Sequence, residues 1–477
     1  MSAATTATTV ETATTTATTV ETAAATADKK VSFSNEILPI LQNNCASCHT
    51  ANGPGVAHLN LATAEEAAAR AADISGIVSA RAMPPWPAGG NGLKFKGDRR
   101  LTDAELAAIN AWEKQGASLD VPTATPLAAT KRVVTPLRRD TVIKGQPYKG
   151  STALSDEYRC QIYDPKLTKP SFLQGMDMEA DQTRVVHHGL LFHGKAGTRA
   201  QAESIDAEQP GSGWTCFGLP SLGSAPGDDL SQIMSWGPGQ APSLLPADTG
   251  VAMEAGDYFV MQIHYHYQQS TEQLPPDESS LVVDFADDAT IAAAGGTLAP
   301  VSLKLYLGPA EIPCSTNQVG PLCDRSAAVG KLVESYGPFA GYLADGLVAV
   351  CGANLADFAT MTSGVASSKC DSPAAPGEII SIWGHEHELG ATFRMTLNPG
   401  KPDETVLLDI PRWAFEWQLN YSPVDKVVIK PGDVIRVECS WDRSRAAAGK
   451  DPRYIVWAEG TNDEMCFSQI ITRPPSS

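Results

Sequence analysis

Residues 379–397 read IISIWGHEHELGATFRMTL, a run of apolar and β-branched residues that is interrupted by two histidines. Such a run is typical of a β-strand. Side chains on a strand repeat every two residues, so His385 and His387 are predicted to share one face and to hold one metal ion. Met465, beside Cys466 near the C-terminus, adds a thioether, and imidazole with thioether suits copper better than zinc or magnesium. The stretch therefore predicts a β-protein with a copper site.

Most of the chain around this stretch shows a similar pattern. Short apolar or alternating runs bounded by Gly, Pro, Asp and Asn recur, for example at residues 258–267 and 413–419. Such spacing is typical of antiparallel sandwiches. Roughly 345 residues of this kind are too many for one sandwich, so we expect two all-β, jelly-roll-like domains at residues 133–298 and 299–477. Residues 330–358 break the pattern and are predicted to be a helical or loop insertion.

The overall composition limits the partners of the protein. The chain has 477 residues, a length that suggests about two to four domains. Its net charge is -18, from 54 acidic and 36 basic residues, and no run of Lys or Arg is longer than two. This balance argues against nucleic acid or an anionic membrane as a partner. No apolar run approaches the length of a membrane span, so none is expected.

Ten cysteines are present, and two of them belong to a separate motif. The other eight are scattered singly, which suggests disulfide bonds and an oxidising compartment. They lie at positions 160, 216, 314, 323, 351, 370, 439 and 466. By position we expect Cys160 to pair with Cys216, whereas the pairing among Cys314, Cys323, Cys351 and Cys370 stays open. Buried free thiols in a cytosolic protein are the alternative.

The N-terminal segment differs from the rest of the chain. Residues 1–29 are rich in Thr and Ala, and the segment 5–13 is repeated at 15–23. They contain too little apolar bulk to fold alone and are predicted to be a disordered tether. No charged start followed by an apolar core occurs there, so no secretory signal is visible.

A Cys-Ala-Ser-Cys-His sequence, the attachment sequence of a c-type haem, begins at Cys45. The thiols of Cys45 and Cys48 form thioethers to the haem, and the imidazole of His49 becomes the proximal iron ligand. Met83, on a Pro-containing loop, is the expected second axial ligand, His58 is the competing one, and a merely structural Met83 is the further alternative. A zinc knuckle or a redox dithiol is the alternative, but no second cysteine pair lies nearby to complete a zinc site. A covalently bound haem c and the cysteine pattern predict a periplasmic or secreted protein.

The segment around this motif is predicted to be helical. Thr102 and Glu105 form the pattern of a capping box, and apolar residues follow at helical spacing as far as Trp112. Residues 30–119 look like a small all-α cytochrome c domain, a resemblance that rests mainly on the attachment sequence. Residues 120–132 are rich in Pro and Thr and are predicted to be a solvent-facing linker.

Seven of the nine histidines lie in three short strand-like segments, which favours metal binding. His187 and His188 are neighbours, and neighbours on a regular strand face opposite sides. Both bind one ion only if the strand twists or bulges there, or if the two rings use different nitrogens. His264 and His266 form a second same-face pair. Spacing alone does not decide which of these histidine pairs would bind which metal ion. Ordinary buried histidines with satisfied hydrogen bonds are the alternative.

Four motifs occur in order across residues 140–475. They are Val185-Val-His-His-Gly-Leu-Leu-Phe192, Val260-Met-Gln-Ile-His-Tyr265, Trp383-Gly-His-Glu-His-Glu-Leu-Gly390 and Gly460-Thr-Asn-Asp-Glu-Met-Cys466. These motifs resemble those of the copper type II, ascorbate-dependent monooxygenases, the family of the peptidylglycine alpha-hydroxylating and dopamine beta-monooxygenases. Four ordered motifs make the resemblance specific.

The resemblance implies two copper ions with different roles. The electron-transfer copper would be bound in the first sandwich by His187, His188 and His264. The oxygen-binding, catalytic copper would be bound in the second sandwich by His385, His387 and Met465. Outside both ligand sets, His266 would have a supporting or surface role and His193 a structural one.

The resemblance also implies a disulfide between Cys439 and Cys466. Three positions of the implied substrate pocket depart from the peptide-hydroxylating members of the family. Trp383 replaces an arginine that holds the substrate carboxylate, Phe467 replaces an asparagine, and Gln469 replaces a substrate-binding tyrosine. The pocket is therefore expected to be more apolar, and a peptide ending in glycine is not the expected substrate.

The implied reaction is the hydroxylation of a C–H bond of a small organic substrate with O2. It needs two electrons, one stored at each copper, and the fused haem is expected to pass them to the copper of the first sandwich. An external ascorbate-like reductant or a redox protein would supply the haem. A non-catalytic periplasmic copper and haem electron-transfer or copper-binding protein is the alternative, which the His385, His387 and Met465 set disfavours. A haem peroxidase is a weaker alternative, because Met83 would occupy the sixth coordination position of the iron.

Overall fold

The structure is a computed structural model that describes residues 30–50, 53, 55, 56, 58–130, 137–151, 154–216, 230–267, 274–446 and 452–475. The predicted N-terminal tether, residues 1–29, lies outside the described residues. A small helical N-terminal region is followed by a large β-rich region with several antiparallel sheets. In the described ranges, no helix is long and apolar enough to cross a membrane.

Short helices form the N-terminal region. After a π-helical turn at Phe33–Ile37 they are α1 (Leu38–Asn44), α2 (Ala46–His49), α3 (Ala64–Ala69), α4 (Ala71–Ser79) and α5 (Asp103–Lys114). The predicted capping box of α5 is confirmed, because the Thr102 hydroxyl accepts from the Glu105 N–H and the Glu105 carboxylate accepts from the Thr102 N–H. Such a cap stabilises a helix by about 1 kcal/mol. Trp112 of α5 packs on Phe33, with ring centroids 5.5 Å apart, and so completes the helical core.

Part of the expected linker packs against these helices. Leu127 is 1% exposed and belongs to the helical core. Its N–H donates to the carbonyl of Ala62 at 2.9 Å, and the Ala64 N–H donates to the carbonyl of Thr125 at 2.8 Å. The expectation of a solvent-facing segment is therefore wrong at Leu127. Burial of a leucine is favourable when its backbone also finds hydrogen-bond partners.

Two antiparallel sheets form the first half of the β-rich region. Its strands are β1 (Thr141–Lys144), β2 (Asp156–Tyr163), β3 (Ser171–Glu179), β4 (Val186–Gly194), β5 (Trp214–Thr215), β6 (Leu230–Trp236), β7 (Ser243–Leu244), β8 (Val251–Met253), β9 (Tyr258–His266) and β10 (Ser280–Phe285). One sheet has the order β1-β10-β3-β7, with β8 also paired to β3, and the other has the order β5-β2-β9-β4-β6. Met176, Leu191 and Val283 show that both sheets contribute to one core. The helices α6 (Arg199–Ala207) and α7 (Asp288–Ala293) lie in the connections.

The second half contains two four-stranded sheets and a short two-stranded one. Its strands are β11 (Ser302–Gly308), β12 (Glu311–Ile312), β13 (Val365–Pro373), β14 (Gly377–His385), β15 (Gly390–Leu397), β16 (Thr405–Ile410), β17 (Val428–Ile429), β18 (Val434–Asp442), β19 (Ile455–Val456) and β20 (Cys466–Arg473). The sheet orders are β11-β20-β14-β17, β13-β18-β15-β16 and β12-β19. Ile382, Met395 and Val437, from both larger sheets, share one core. Within the described ranges, no sheet mixes strands from the two halves.

The predicted insertion at residues 330–358 is helical. It contains most of α8 (Arg325–Tyr336), all of α9 (Pro338–Val350) and most of α10 (Leu355–Ala359). The predicted strand at residues 413–419 is wrong, because this segment belongs to an irregular loop, residues 411–421, that we call the bridging loop. Its alternating apolar residues imitate a strand, but its backbone groups bond to several separate segments. Trp413 N–H, for example, donates to the Ala391 carbonyl at 2.8 Å.

Residues 84–99, which directly follow Met83, leave the helical region and lie on the second half of the β-rich region as an arm. The Gly89 N–H donates to the Asp409 carbonyl at 2.6 Å, and the Lys96 N–H donates to the Ser422 carbonyl at 2.9 Å. Trp86 and Phe95 of the arm pack in the core of the second half. The arm therefore attaches the helical region to the β-rich region through both backbone and apolar contacts.

Eight of the cysteines form four disulfides. The bonds are Cys160–Cys216, Cys314–Cys323, Cys351–Cys370 and Cys439–Cys466. The first and the last confirm the two expected pairs, and the other two decide the pairing that the sequence left open. Neither Cys45 nor Cys48 takes part. Four disulfides together with a haem-attachment sequence are consistent with an extracytoplasmic protein.

Candidate metal centres

Three buried histidines meet where strands β4 and β9 pair. His188 lies opposite His264 in the ladder, and the register shifts between Val186 and His188. The shift is the bulge that two neighbouring histidines need in order to reach one site, because the extra residue turns a side chain that would otherwise face away. Ring centroids are 5.2 Å apart for His187 and His188, 5.1 Å for His187 and His264, and 4.8 Å for His188 and His264. We call these three residues the histidine trio.

The hydrogen bonds of the trio indicate which nitrogens could bind metal. The Nε2 of His187 lies 3.0 Å from the Phe415 carbonyl oxygen, and the Nε2 of His264 lies 3.0 Å from an Asp156 carboxylate oxygen. Both nitrogens therefore carry the proton, which leaves Nδ1 with a lone pair. The Nδ1 atoms of His187 and His188 are 3.1 Å apart. His264 Nδ1 is buried without a hydrogen-bond partner among the described residues, as a ligand atom without its metal would be.

Burial keeps the histidines in the form that binds metal. It lowers the pKa of His187 and His188 well below 6.5, and the neighbouring histidines lower it further. Burial also lowers the pKa of His264, although Asp156 opposes this. The same cause lowers the pKa of His385, and it lowers that of His387 to about 4. All five imidazoles are therefore neutral at pH 7, the protonation state of a metal ligand.

Asp156 supports the trio, and sequence reasoning missed it. One of its oxygens accepts from His264, lies 2.8 Å from Nδ1 of His266, and also accepts from the Thr461 hydroxyl. Burial opposes its charge, but the hydrogen bonds from His264 and His266 lower its pKa below the usual range. Asp156, His264 and His266 form a second group with metal-ligand spacing. The trio is the better candidate, because the Asp156 oxygen already has hydrogen-bond partners and His264 Nδ1 has none in the described chain.

His385 and His387 come together in a way that the sequence did not predict. Strand β14 ends at His385, and His387 lies in the turn before β15, so the two are not on one regular strand. Their ring centroids are nevertheless 5.0 Å apart. The Nδ1 of His385 is 2.5 Å from Oε1 of Gln418, and the Nδ1 of His387 is 3.1 Å from the Asp463 carbonyl oxygen. These bonds leave Nε2 of each ring as the nitrogen for a metal.

Glu464 connects this turn to the segment that contains Met465. Its carboxylate accepts from the N–H of His387 at 2.9 Å and from the N–H of Leu389 at 2.7 Å. Burial raises the pKa of Glu464 to about 8, although these backbone bonds oppose the shift. Met465 follows directly and is 5% exposed, and Cys466 then begins β20 with its disulfide to Cys439. The Glu464 bonds therefore hold the thioether segment against the histidine turn, and the disulfide joins it to β18.

The two groups of histidines form one continuous cluster. The ring centroids of His188 and His385 are only 5.4 Å apart, although one residue comes from β4 and the other from β14. The trio lies on strands of the first half and His385 on a strand of the second. The two groups meet where the halves contact each other, so that they share one buried environment.

The three residues expected to line a substrate pocket lie at this same contact between the halves. Trp383 is 1% exposed and stacks on His385 with ring centroids 5.1 Å apart. The rings of Trp383 and Phe467 form a T-shaped pair with centroids 5.6 Å apart. Gln469 is fully buried, where its Oε1 accepts from Gln232 of the first half at 2.8 Å. Trp383 and Gln469 thus pack the interface between the halves in this conformation.

The bridging loop contacts both groups of histidines. Phe415 stacks on the His187 ring with centroids 4.0 Å apart, in addition to accepting its hydrogen bond. Gln418 accepts from His385 at 2.5 Å, and the Trp413 indole donates to the His387 carbonyl at 3.0 Å. A loop that was expected to be a strand therefore positions rings of both groups.

His193 and His49, which lie outside the cluster, each have a local hydrogen-bond partner. His193 is buried with its Nε2 2.8 Å from Asp257, on the same strand as the trio but outside it. His58 is exposed. In the attachment sequence, Nδ1 of His49 is 2.8 Å from the Leu59 carbonyl oxygen, which leaves Nε2 for an axial bond. A Cβ added to Gly55 would lie 2.6 Å from the His49 ring, so only glycine allows this ring its position.

Comparison with known proteins accounts for one part of the chain. Residues 39–115 match the family model of cytochrome c. This segment is a cytochrome c domain. The domain implies a haem cofactor, and the thiols of Cys45 and Cys48 with Nε2 of His49 fit its attachment. Met83, the expected second axial ligand, is partly buried against the core of the cytochrome c domain. No curated protein matches the chain.

Solved structures show only weak similarity. A glycoside hydrolase 29 family member from an unknown rumen bacterium is 12% identical with a TM-score of 0.15, and the match covers 70% of this chain and 42% of that one. The infectious bursal disease virus VP2 subviral particle is 7% identical with a TM-score of 0.14, covering 71% and 77%. A mutant of Bacillus subtilis oxalate decarboxylase is 9% identical with a TM-score of 0.12, covering 74% and 81%. Scores this low support no argument about fold or function.

Proposed function

We propose that the β-rich region is a copper-dependent monooxygenase that hydroxylates a C–H bond of a small organic substrate with O2. Its electrons would come through the cytochrome c domain. The observation that carries this proposal is the Nδ1 of buried His264, which has no hydrogen-bond partner among the described residues although its ring lies 5.1 Å from that of His187 and 4.8 Å from that of His188. A buried nitrogen lone pair without a partner costs free energy unless a ligand such as a metal ion occupies it. The four ordered motifs described above support the same assignment.

The donor sets fit copper. Three imidazoles would hold the electron-transfer copper, and two imidazoles with the Met465 thioether would hold the oxygen-binding one. Thioether sulfur favours Cu(I), the state that must meet O2. When bound, copper would supply the redox chemistry that activates oxygen. In this proposal residues 133–298 and 299–477 are two jelly-roll-like sandwiches, one for each ligand set.

The residues around the donors would select the ligand nitrogens and hold the rings in place. Asp156 and the Phe415 carbonyl hold the protons on Nε2 of His264 and His187, so that Nδ1 of each ring is presented to a metal. Gln418 and the Asp463 carbonyl act on Nδ1 of His385 and His387 and leave Nε2 for the second metal. Such supporting hydrogen bonds fix both the tautomer and the orientation of a ligand ring.

The Trp383 ring would make the surroundings of His385 apolar and exclude water from that side. Its position corresponds to the carboxylate-binding arginine of the peptide-hydroxylating enzymes, so an apolar or aromatic substrate is favoured over a peptide acid. A substrate would have to enter where the halves meet. An ascorbate-like reductant or a redox protein, outside the cytoplasm, would reduce the haem.

The contact between His188 and His385 favours a second candidate function. With centroids 5.4 Å apart and Trp383 and Gln469 packed beside them, the two groups form a compact buried cluster. Such a cluster also suits a copper and haem electron-transfer protein that does not bind a substrate. This candidate predicts copper binding and haem oxidation without oxygen incorporation.

Copper content and oxygen uptake together test both candidates. The purified protein should bind two copper ions, His264→Ala should bind one, and His193→Gln, a buried histidine outside the cluster, should still bind two. Reduced protein is then screened with apolar, aromatic and amine compounds, with mass spectrometry for the gain of one oxygen atom. Oxygen uptake with a hydroxylated product supports the monooxygenase. Two bound coppers without product from any compound would favour the electron carrier, and absence of copper would exclude both.

A further inference from the structure

The arm brings the haem-binding loop to the bridging loop. Trp86 is the third residue after Met83, and three residues span at most about 11 Å of chain. The rings of Trp86 and Tyr421 form a T-shaped pair, with centroids 5.4 Å apart and an interplanar angle of 88°. Tyr421 is 1% exposed. The rings of Trp86 and Tyr421 thus form a direct contact between the segment after Met83 and the end of the bridging loop.

Tyr421 in turn is joined to the strand that carries His385. Its backbone N–H donates to the Ile382 carbonyl at 2.8 Å, and the Ile382 N–H donates to the Tyr421 carbonyl at 2.9 Å. The next residue, Trp383, stacks on His385 with an interplanar angle of 16°. Its indole N–H also donates to the carbonyl of Gln418 at 3.3 Å. The path from Tyr421 to His385 therefore consists of one backbone pair and one stacked ring.

We propose that Trp86 and Tyr421 form the route by which electrons pass from the cytochrome c domain to the histidine cluster, and that the route enters on the His385 side. This inference rests on the proposed function. Each transfer moves one electron from ferrous iron to cupric copper, which leaves ferric iron and cuprous copper. The rings shorten the gap without being oxidised, so no proton is exchanged along the route.

The entry point differs from the one expected from sequence, where the haem was to serve the copper of the trio. The contact of His188 with His385 explains how one entry point serves both groups, since their rings are already neighbours. Phe95 offers an internal control. It also packs on Tyr421, with centroids 5.1 Å apart, but lies farther along the arm from Met83 and so contributes to docking rather than to the route.

The test measures electron transfer without oxygen or substrate. The fully oxidised, copper-loaded protein receives less than one electron per molecule from a flash-activated photoreductant under argon. Reoxidation of the haem is followed by its absorbance, and loss of Cu(II) is followed by its paramagnetic resonance signal. A rate that does not depend on protein concentration identifies transfer within one molecule. Haem spectrum, copper content and thermal unfolding establish that each variant is folded.

Trp86→Leu should slow the reoxidation by about tenfold or more, which corresponds to roughly 1.4 kcal/mol in the barrier. Trp86→Phe and Phe95→Leu should stay near the wild-type rate, and the Cu(II) spectrum should not change in any of them. If Trp86→Leu does not fold, Tyr421→Leu compared with Tyr421→Phe makes the same test, with slowing expected only for the leucine variant.

The outcomes separate the route from the proposed function. A wild-type rate in Trp86→Leu, or equal slowing in Trp86→Leu and Phe95→Leu, overturns the route and leaves the proposed function standing. A wild-type haem that stays reduced beside bound Cu(II) overturns both the route and the role of the haem as donor. Normal transfer in a protein that hydroxylates no substrate removes the monooxygenase and keeps the route.

Discussion

Replacement of Asp156 by asparagine tests which atoms of the cluster bind metal. The change keeps an oxygen near Nε2 of His264 but removes the charge that holds the proton there. A hydrogen bond to a charged group contributes roughly 1.5–3 kcal/mol and a neutral one about 0.5–1.5 kcal/mol, so the loss is about 1–1.5 kcal/mol. That free energy corresponds to about a tenfold weaker binding of copper by the trio. The value lies at the low end of the 10–100-fold range usual for such supporting residues.

Competition with a Cu(I) chelator, titrated into protein with one or two equivalents of copper, measures this loss at each site. The copper proposed at His385, His387 and Met465 should keep its affinity in Asp156→Asn. Asp257→Asn, which changes a similar buried aspartate–histidine pair at His193, should leave both copper affinities unchanged.

Two results would refute the reasoning. Unchanged copper affinity in Asp156→Asn would mean that the carboxylate does not orient His264. Complete loss of one copper, matched by an equal loss in His266→Ala, would mean that Asp156, His264 and His266 are themselves the ligands. The second result would assign the metal to Asp156, His264 and His266 rather than to the histidine trio, although the Asp156 oxygen already has hydrogen-bond partners.

Three further predictions concern stability and the haem. Burial raises the pKa of Asp177 to about 6, so the contribution of the protonated Asp177 carboxyl to stability is present below pH ~4 and is lost as the pH rises through 6. Asp177→Asn should therefore raise the free energy of unfolding at pH 7.5 by up to about 3 kcal/mol. Urea titrations at pH 4 should show no gain. The double variant Cys439→Ala, Cys466→Ala should lower the free energy of unfolding by roughly 2–5 kcal/mol, and an unchanged melting temperature would contradict this. Gly55→Ala should displace the proximal histidine ring and shift the haem absorption bands, whereas Gly76→Ala, where an added Cβ meets nothing within 4 Å, should not.

Much of the chemistry could be predicted because it depends on short segments. The attachment sequence at Cys45 places two thiols and an imidazole within five residues, and the capping box of Thr102 spans four. Such local geometry follows from the helical repeat alone. The disulfide of Cys439 with Cys466 followed from the motif resemblance, and the structure confirms it.

The arrangement of the candidate site depends on distant parts of the chain. Asp156 is 108 residues from His264, and Phe415 is 228 residues from His187, so no local spacing indicates either contact. The bridging loop has the alternation of a strand, but it is irregular because its backbone groups satisfy partners in several segments.

The same reason explains why His385 and His387 meet. The two-residue spacing correctly indicated that they approach each other, but the approach comes from a turn that Glu464 holds, not from one regular strand. Residue types and short spacings are thus enough to name the candidate donors. Which donors become neighbours, as His188 and His385 do, is decided by the packing of the two halves against each other, because burial and long-range hydrogen bonds act only after the chain has folded.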